Sequence, residues 1–154
     1  LGYRHIELDA INWQPNWTEL PPDAFRGAVA DAVSAEKWVL DGNYSRVRDI
    51  VWARTDTVVW LNYSLPVMMS RLWRRTWTRT IGGESLWAGN RESIYRQLFT
   101  RDSILLWQLQ TYKRRRRDYP LMFAQPENAH LRIVEHKSPR ATRRWLTEIN
   151  CPQP

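Results

Sequence analysis

The heptapeptide Trp38-Val39-Leu40-Asp41-Gly42-Asn43-Tyr44 sets the tightest limit on the fold. Its apolar residues are too few for a helix and enough for a short buried strand, which the Asp-Gly step ends. A strand this short needs partners, and the chain supplies them. Tyr3 to Leu8 alternates weakly and carries Ile6 and Leu8, which predicts a strand ending at the acid Asp9. Thr57-Val58-Val59-Trp60-Leu61 is a continuous β-branched and aromatic run, the pattern of a strand buried on both faces. His130 to Val134 predicts a fourth.

Helical spacing fills the intervals. Phe25, Ala28, Val29, Ala32 and Val33 recur on one face after Pro21-Pro22-Asp23, predicting a helix that ends near Glu36. Asn12 to Trp17 is expected as a loop, and Ser45 as the cap of a short helix through Val47, Ile50 and Val51, ending near Arg54. Ser64-Leu65-Pro66 opens a helix that the Gly82-Gly83 pair breaks. A mobile segment follows, with one short helix near Glu92 to Phe99. Thr100 or Asp102 then caps a long helix that runs into Arg114-Arg115-Arg116-Arg117 and is expected to stop at Tyr119-Pro120. Ser138-Pro139 begins a last helix with Ala141, Trp145 and Ile149, and residues 150–154 read as a disordered tail. Strands alternating with helices imply parallel pairing and a layered α/β domain.

Composition narrows the chemistry. At 154 residues, 43% hydrophobic, the chain is expected to form one globular domain. The net charge of +7 comes mostly from arginine, since lysine occurs only at Lys37, Lys113 and Lys137. Arginine is the residue of planar, bidentate phosphate contact, so a phosphate-bearing partner is expected beside the plain alternative of a solvated basic surface. Ten tryptophans exceed what packing needs and suggest that several line a cleft. The single Cys151 gives neither a disulfide framework nor a thiol cluster. No apolar run approaches the ~18 residues of a membrane span. A cytoplasmic location is the expectation.

In open α/β sheets ligands bind beyond the carboxyl ends of the strands, which is where Glu7, Asp9 and Asp41 fall. Two carboxylates on neighbouring strand ends can hold Mg2+ through water; the equal alternative makes Asp9 and Asp41 turn or capping residues. Arg71, Arg74 and Arg75 share one helical face and suit transferring phosphates, unless they merely solvate the helix. His5, His130 and His136 are too scattered for a metal set and are expected to be structural.

The order of these pieces resembles small P-loop nucleotide kinases of the adenylate-kinase-like group, in particular the bacterial branch called DNA topology modulation proteins. The likeness rests on His5-Ile6-Glu7-Leu8-Asp9-Ala10 with Trp13-Gln14-Pro15, on Trp38 to Tyr44, on Asp56 to Leu61, on Pro66 to Arg75 and on Ser138-Pro139-Arg140. It implies a three-layer parallel sheet, ATP and Mg2+ as cofactors, and a nucleotide or other small acceptor. By the same resemblance Asp41 is the strand-end acid that holds Mg2+ through water, with Asp9 beside it. Gly42, Asn43 and Tyr44 form the turn beside the acceptor, with Glu7 and Asp9 as an acidic pair that contacts Mg2+ and the acceptor, and Arg46 clamping the acceptor. Arg71 and Arg75 stand at the base of a lid spanning about residues 80–100, and Lys137-Ser138-Pro139 touches the adenine.

One family part is missing from the sequence. Members open with a strand, a Gly-rich loop ending in Gly-Lys-Ser/Thr, and a helix, whereas no Gly-Lys pair occurs here. That loop supplies the donors and the lysine for the β- and γ-phosphates. Because Leu1-Gly2-Tyr3 aligns just after the family's first helix, the expectation is a fragment of residues 1–149 plus tail. It lacks the central first strand, the phosphate loop and the first helix, and binds ATP weakly or not at all. The competing expectations are a basic nucleic-acid-binding module built on Arg74 to Arg79 and Arg114 to Arg117, and a non-enzymatic, degenerate family member.

Overall fold

Ile6 and Leu40 fall opposite one another when Arg4–Glu7 (β1) pairs in parallel with Trp38–Asp41 (β4), and that register builds the first unit of the chain. The structure, a computed structural model, describes residues 2–82, 88 and 104–150. The expected helix near Glu92 to Phe99, most of the expected lid and residues 151–154 lie outside the described residues. Contacts divide the chain into two compact units that separate at Asp56 and Thr57.

In the first unit, Leu8–Asn12 (α1) follows β1 without a break, so Asp9 lies in the first turn of a helix and not at the end of a strand. The segment expected as a loop forms a two-residue antiparallel hairpin, Trp13–Gln14 (β2) against Thr18–Glu19 (β3), around a 3-10 turn at Pro15–Trp17. The amide of Leu20 closes it by donating to the Asn12 carbonyl, at 2.8 Å. Pro22–Ala32 (α2) starts where the prolines predict and buries Phe25, Val29 and Ala32 on one stripe. It ends short of Glu36. The Ser34 amide donates to the Asp31 carbonyl at 3.2 Å, an i−3 bond that closes the helix, and the Arg54 guanidinium holds the turn that follows through the carbonyls of Val33 and Ser34, at 2.7 and 3.2 Å. A 3-10 turn, Ser45–Val47, leads into Arg48–Trp52 (α3), and Ser45 makes no side-chain cap. Ile6, Leu8, Phe25, Val29, Val33, Val47 and Val51 form the core of this unit.

The second unit pairs Thr57–Leu61 (β5) with Arg132–His136 (β6), again in parallel, with Val59 opposite Val134. β6 begins two residues later than its sequence suggests, because a turn holds Leu131 first: its amide donates to the Asn128 carbonyl, at 3.0 Å. Leu65–Gly82 (α4) and Ile104–Phe123 (α5) pack on each other. Pro120 lies inside α5 and does not stop it. Tyr119 and Phe123 each set a ring edge-on to Trp60, both at 5.8 Å, and this aromatic packing outweighs the backbone bond that proline cannot make. Pro139–Asn150 (α6) begins as expected, with the Ser138 hydroxyl accepting from the Ala141 amide at 3.2 Å, and it includes Asn150.

The four expected strands are therefore parallel in two separate pairs, β1–β4 and β5–β6, beside the antiparallel β2–β3 hairpin. Among the described residues no third strand joins either pair. Parallel sheets ordinarily have both faces covered. Here Val39 of β4 and Val59 and Leu61 of β5 are 44%, 38% and 48% exposed.

Candidate functional site

The site is built where β1 and β4 end together. Glu7 stands in register with Asp41, and residues in register on neighbouring strands project to the same face of the sheet. The opposite face is turned to the core through Ile6 and Leu40, so the two carboxylates lie on the open face with His5 and Val39. His5 Nδ1 is 3.7 Å from Glu7 Oε1. Immediately after Asp41, Gly42 takes φ +128°, a conformation that L side chains rarely adopt. A Cβ at this position would sit 2.7 Å from Leu8 Cβ, so the turn is pressed against the start of α1.

Asp9 is spoken for. The Tyr44 hydroxyl donates to Asp9 Oδ1 at 2.5 Å, tying the turn after β4 to α1 across 35 positions of sequence. Burial and then this bond push the Tyr44 phenol well above its ordinary pKa of 10.0. Arg46 is likewise engaged and does not stand free as an acceptor clamp. Its Nη2 donates to Asn12 Oδ1 at 2.6 Å, its Nη1 pairs with Glu19 Oε2 at 2.9 Å, and its guanidinium lies over the rings of Phe25 and Tyr44 at 4.7 and 5.4 Å. Arg26 supports this arrangement by donating to the Arg46 carbonyl while forking onto Asp49 at 3.0 and 2.7 Å. That fork holds the Asp49 carboxyl below its usual range. Asn43 accepts from Arg48 Nη2 at 3.3 Å.

Of the residues expected to act together, the structure thus gathers Glu7, Asp9, Asp41, Gly42, Asn43, Tyr44 and Arg46 in the first unit. Arg71, Arg75 and Lys137-Ser138-Pro139 belong to the second. There Arg71 sits over the Tyr63 ring at 5.6 Å, Arg75 is exposed on α4, and Ser138 caps α6. Lys137 Nζ lies 3.7 Å from Glu135 Oε2. His136 is buried against Trp145, with its Nε2 lacking a hydrogen-bond partner among the described residues.

Sequence reasoning missed Asn12 and Glu19. Asn12 is completely buried, a rare state for asparagine, and its oxygen is what orients Arg46. Nothing local in the sequence signals it, because its partners lie more than 30 positions away.

As for a metal, no group of three or more His, Cys, Asp or Glu side chains that could hold an ion occurs among the described residues. The carboxylates at the strand ends, Glu7 and Asp41, with Asp9 in the first turn of α1, are the oxygen donors that could hold Mg2+ through water. No protein-family model, curated protein or solved structure matches the chain.

Two outcomes follow from this geometry. Gly42→Ala adds the unfavourable φ to the clash with Leu8 and is expected to destabilise the first unit by about 2 kcal/mol or more, read from urea midpoints. Tyr44→Phe is expected to cost about 1–2 kcal/mol below pH 10. Above pH 10 the unfolded phenol ionises while the folded one keeps its proton. Wild-type stability then falls as pH rises, and its difference from Tyr44→Phe shrinks. Parallel urea titrations of the two proteins on either side of that pH check it.

Proposed function

We propose that this chain is the acceptor-side part of an ATP-dependent phosphotransferase that passes a phosphoryl group to a nucleotide or another small acceptor. The observation that carries the reading is the pairing of Glu7 with Asp41 at the carboxyl ends of neighbouring parallel strands, followed by the tight turn at Gly42. In this role Asp41 holds Mg2+ through water with Glu7 beside it. Held there, Mg2+ would supply neutralisation of phosphate charge, and the Gly42–Tyr44 turn forms a floor for the acceptor. The bond from Tyr44 to Asp9 and the latch of Arg46 on Asn12 and Glu19 keep that floor from shifting. Arg71 and Arg75 take the part of lid-base arginines and Lys137-Ser138-Pro139 that of the adenine loop.

The chain contains no Gly-Lys pair, so in this reading the β- and γ-phosphate donors come from a phosphate loop that precedes these residues in the intact protein. In each unit by itself the parallel pair keeps exposed apolar residues, Val39 on β4 and Val59 and Leu61 on β5, which fits strand pairs with a face left to cover. No described helix is long and apolar enough to cross a membrane, and a cytoplasmic enzyme is part of the proposal.

The test is transfer from γ-labelled ATP to a panel of nucleoside monophosphates and small hydroxyl acceptors, using the intact gene product. Asp41→Asn is expected to lower kcat by about a hundred-fold or more with the fold retained by circular dichroism. Transfer that survives Asp41→Asn unchanged, or no transfer to any acceptor, would refute the reading. Tight, magnesium-dependent ATP binding by the 154-residue chain alone would refute the assignment of the phosphate loop.

A further inference from the structure

Trp73 and Trp77, one turn apart on α4, expose 48% and 49% of their surface. Their rings stack with centroids 6.3 Å apart and planes 22° from parallel. Thr76, at 5% exposure, marks the buried side of the helix, and the half-exposed tryptophans flank it. Arg74 lies between them in sequence, three residues before Trp77, and is exposed. α4 carries Arg71, Arg74, Arg75 and Arg79 and no acidic residue. The helix packed on it, α5, adds exposed Lys113, Arg114 and Arg116, with Arg116 lying over the Tyr112 ring at 5.4 Å. Its one acid, Asp118, is taken by Arg117 at 2.7 Å.

We propose that this face of α4 binds single-stranded nucleic acid, with Trp73 and Trp77 as stacking plates for bases and Arg74 with the neighbouring cations as phosphate contacts. Aromatic rings interleaved with arginine are the chemistry that holds unpaired strands, since every base has a face to stack and every link a phosphate. A duplex covers its base faces and leaves the tryptophans nothing to stack on. An anionic membrane is the competing ligand for a basic helix with exposed indoles, and the vesicle arm of the test decides between them. The inference uses neither Glu7 nor Asp41 and does not depend on the phosphotransfer reading.

Fluorescence anisotropy with labelled oligo(dT), oligo(U), a duplex of equal length and anionic vesicles tests it on the 154-residue chain. Both single-stranded probes are expected to bind, with log affinity falling linearly in log salt by about 0.7 per phosphate contact. The double variant Trp73→Ala/Trp77→Ala is expected to bind about ten-fold or more weakly, and Trp73→Phe/Trp77→Phe to retain most of the affinity. Arg74→Gln, a surface change that spares the fold, is expected to flatten the salt slope by about 0.7. The proposal is overturned if neither single strand binds at low salt, if the duplex binds as tightly, or if vesicles are bound in their place. It is also overturned if affinity survives loss of both rings in a folded variant. Should the alanine pair fail to fold, an Arg74→Gln protein with an unchanged slope overturns it equally.

Discussion

The close approach of Gly42 to Leu8 is the contact on which the first unit and its site depend. Leu8 is fully buried, packed with Phe25 and Val29, so its side chain is fixed by the core. A backbone that must pass within 2.7 Å of Leu8 Cβ, measured from the place of a missing Cβ, has one path available. That path brings β4 to an end level with β1. It sets Asp41 beside Glu7 and turns Asn43, Tyr44 and Arg46 back over α1.

What the core contact begins, a polar network completes. Tyr44 to Asp9, Arg46 to Asn12 and Arg46 to Glu19 connect the turn after β4 to α1 and β3, the first two through partly buried groups, where hydrogen bonds are stronger than at the surface and costly to leave unmade. The Arg26–Asp49 fork is better formed in geometry but sits in solvent, with side chains 41% and 63% exposed, so screening leaves it a smaller share of the stability. Its consequence is positional, because the same guanidinium holds the Arg46 carbonyl. Of the two acids expected as a pair, Asp9 accepts from Tyr44 and holds the turn, while Glu7 stands in register with Asp41.

Sequence was most informative where a single local force decides the outcome. The run Thr57–Leu61 is a strand to both its bounds, since a β-branched and aromatic stretch flanked by polar residues has no helical alternative. Asp41-Gly42 announced the turn for the same reason. Long-range packing was illegible: Pro120 passes through α5 because Trp60, some 60 positions earlier, gathers Tyr119 and Phe123 around it. α2 ends in an i−3 turn at Ser34 that Arg54 holds from a distant helix, and Asp9, in the first turn of α1, meets Tyr44 across 35 positions of sequence. In the site, the acids could be read from strand ends, but Asn12 and Glu19, the partners that disarm Arg46 as a clamp, could not.

The central proposal is that the carboxyl end of the β1–β4 pair holds a hydrated divalent cation. Paramagnetic broadening of amide resonances by Mn2+, competed by Mg2+, reads this directly in the 154-residue chain. The account predicts that Glu7, Asp41, Gly42 and Asn43 broaden first and recover when Mg2+ is added in excess. Broadening centred on other acids, such as Asp118 or Glu127, with Glu7 and Asp41 untouched, would contradict it.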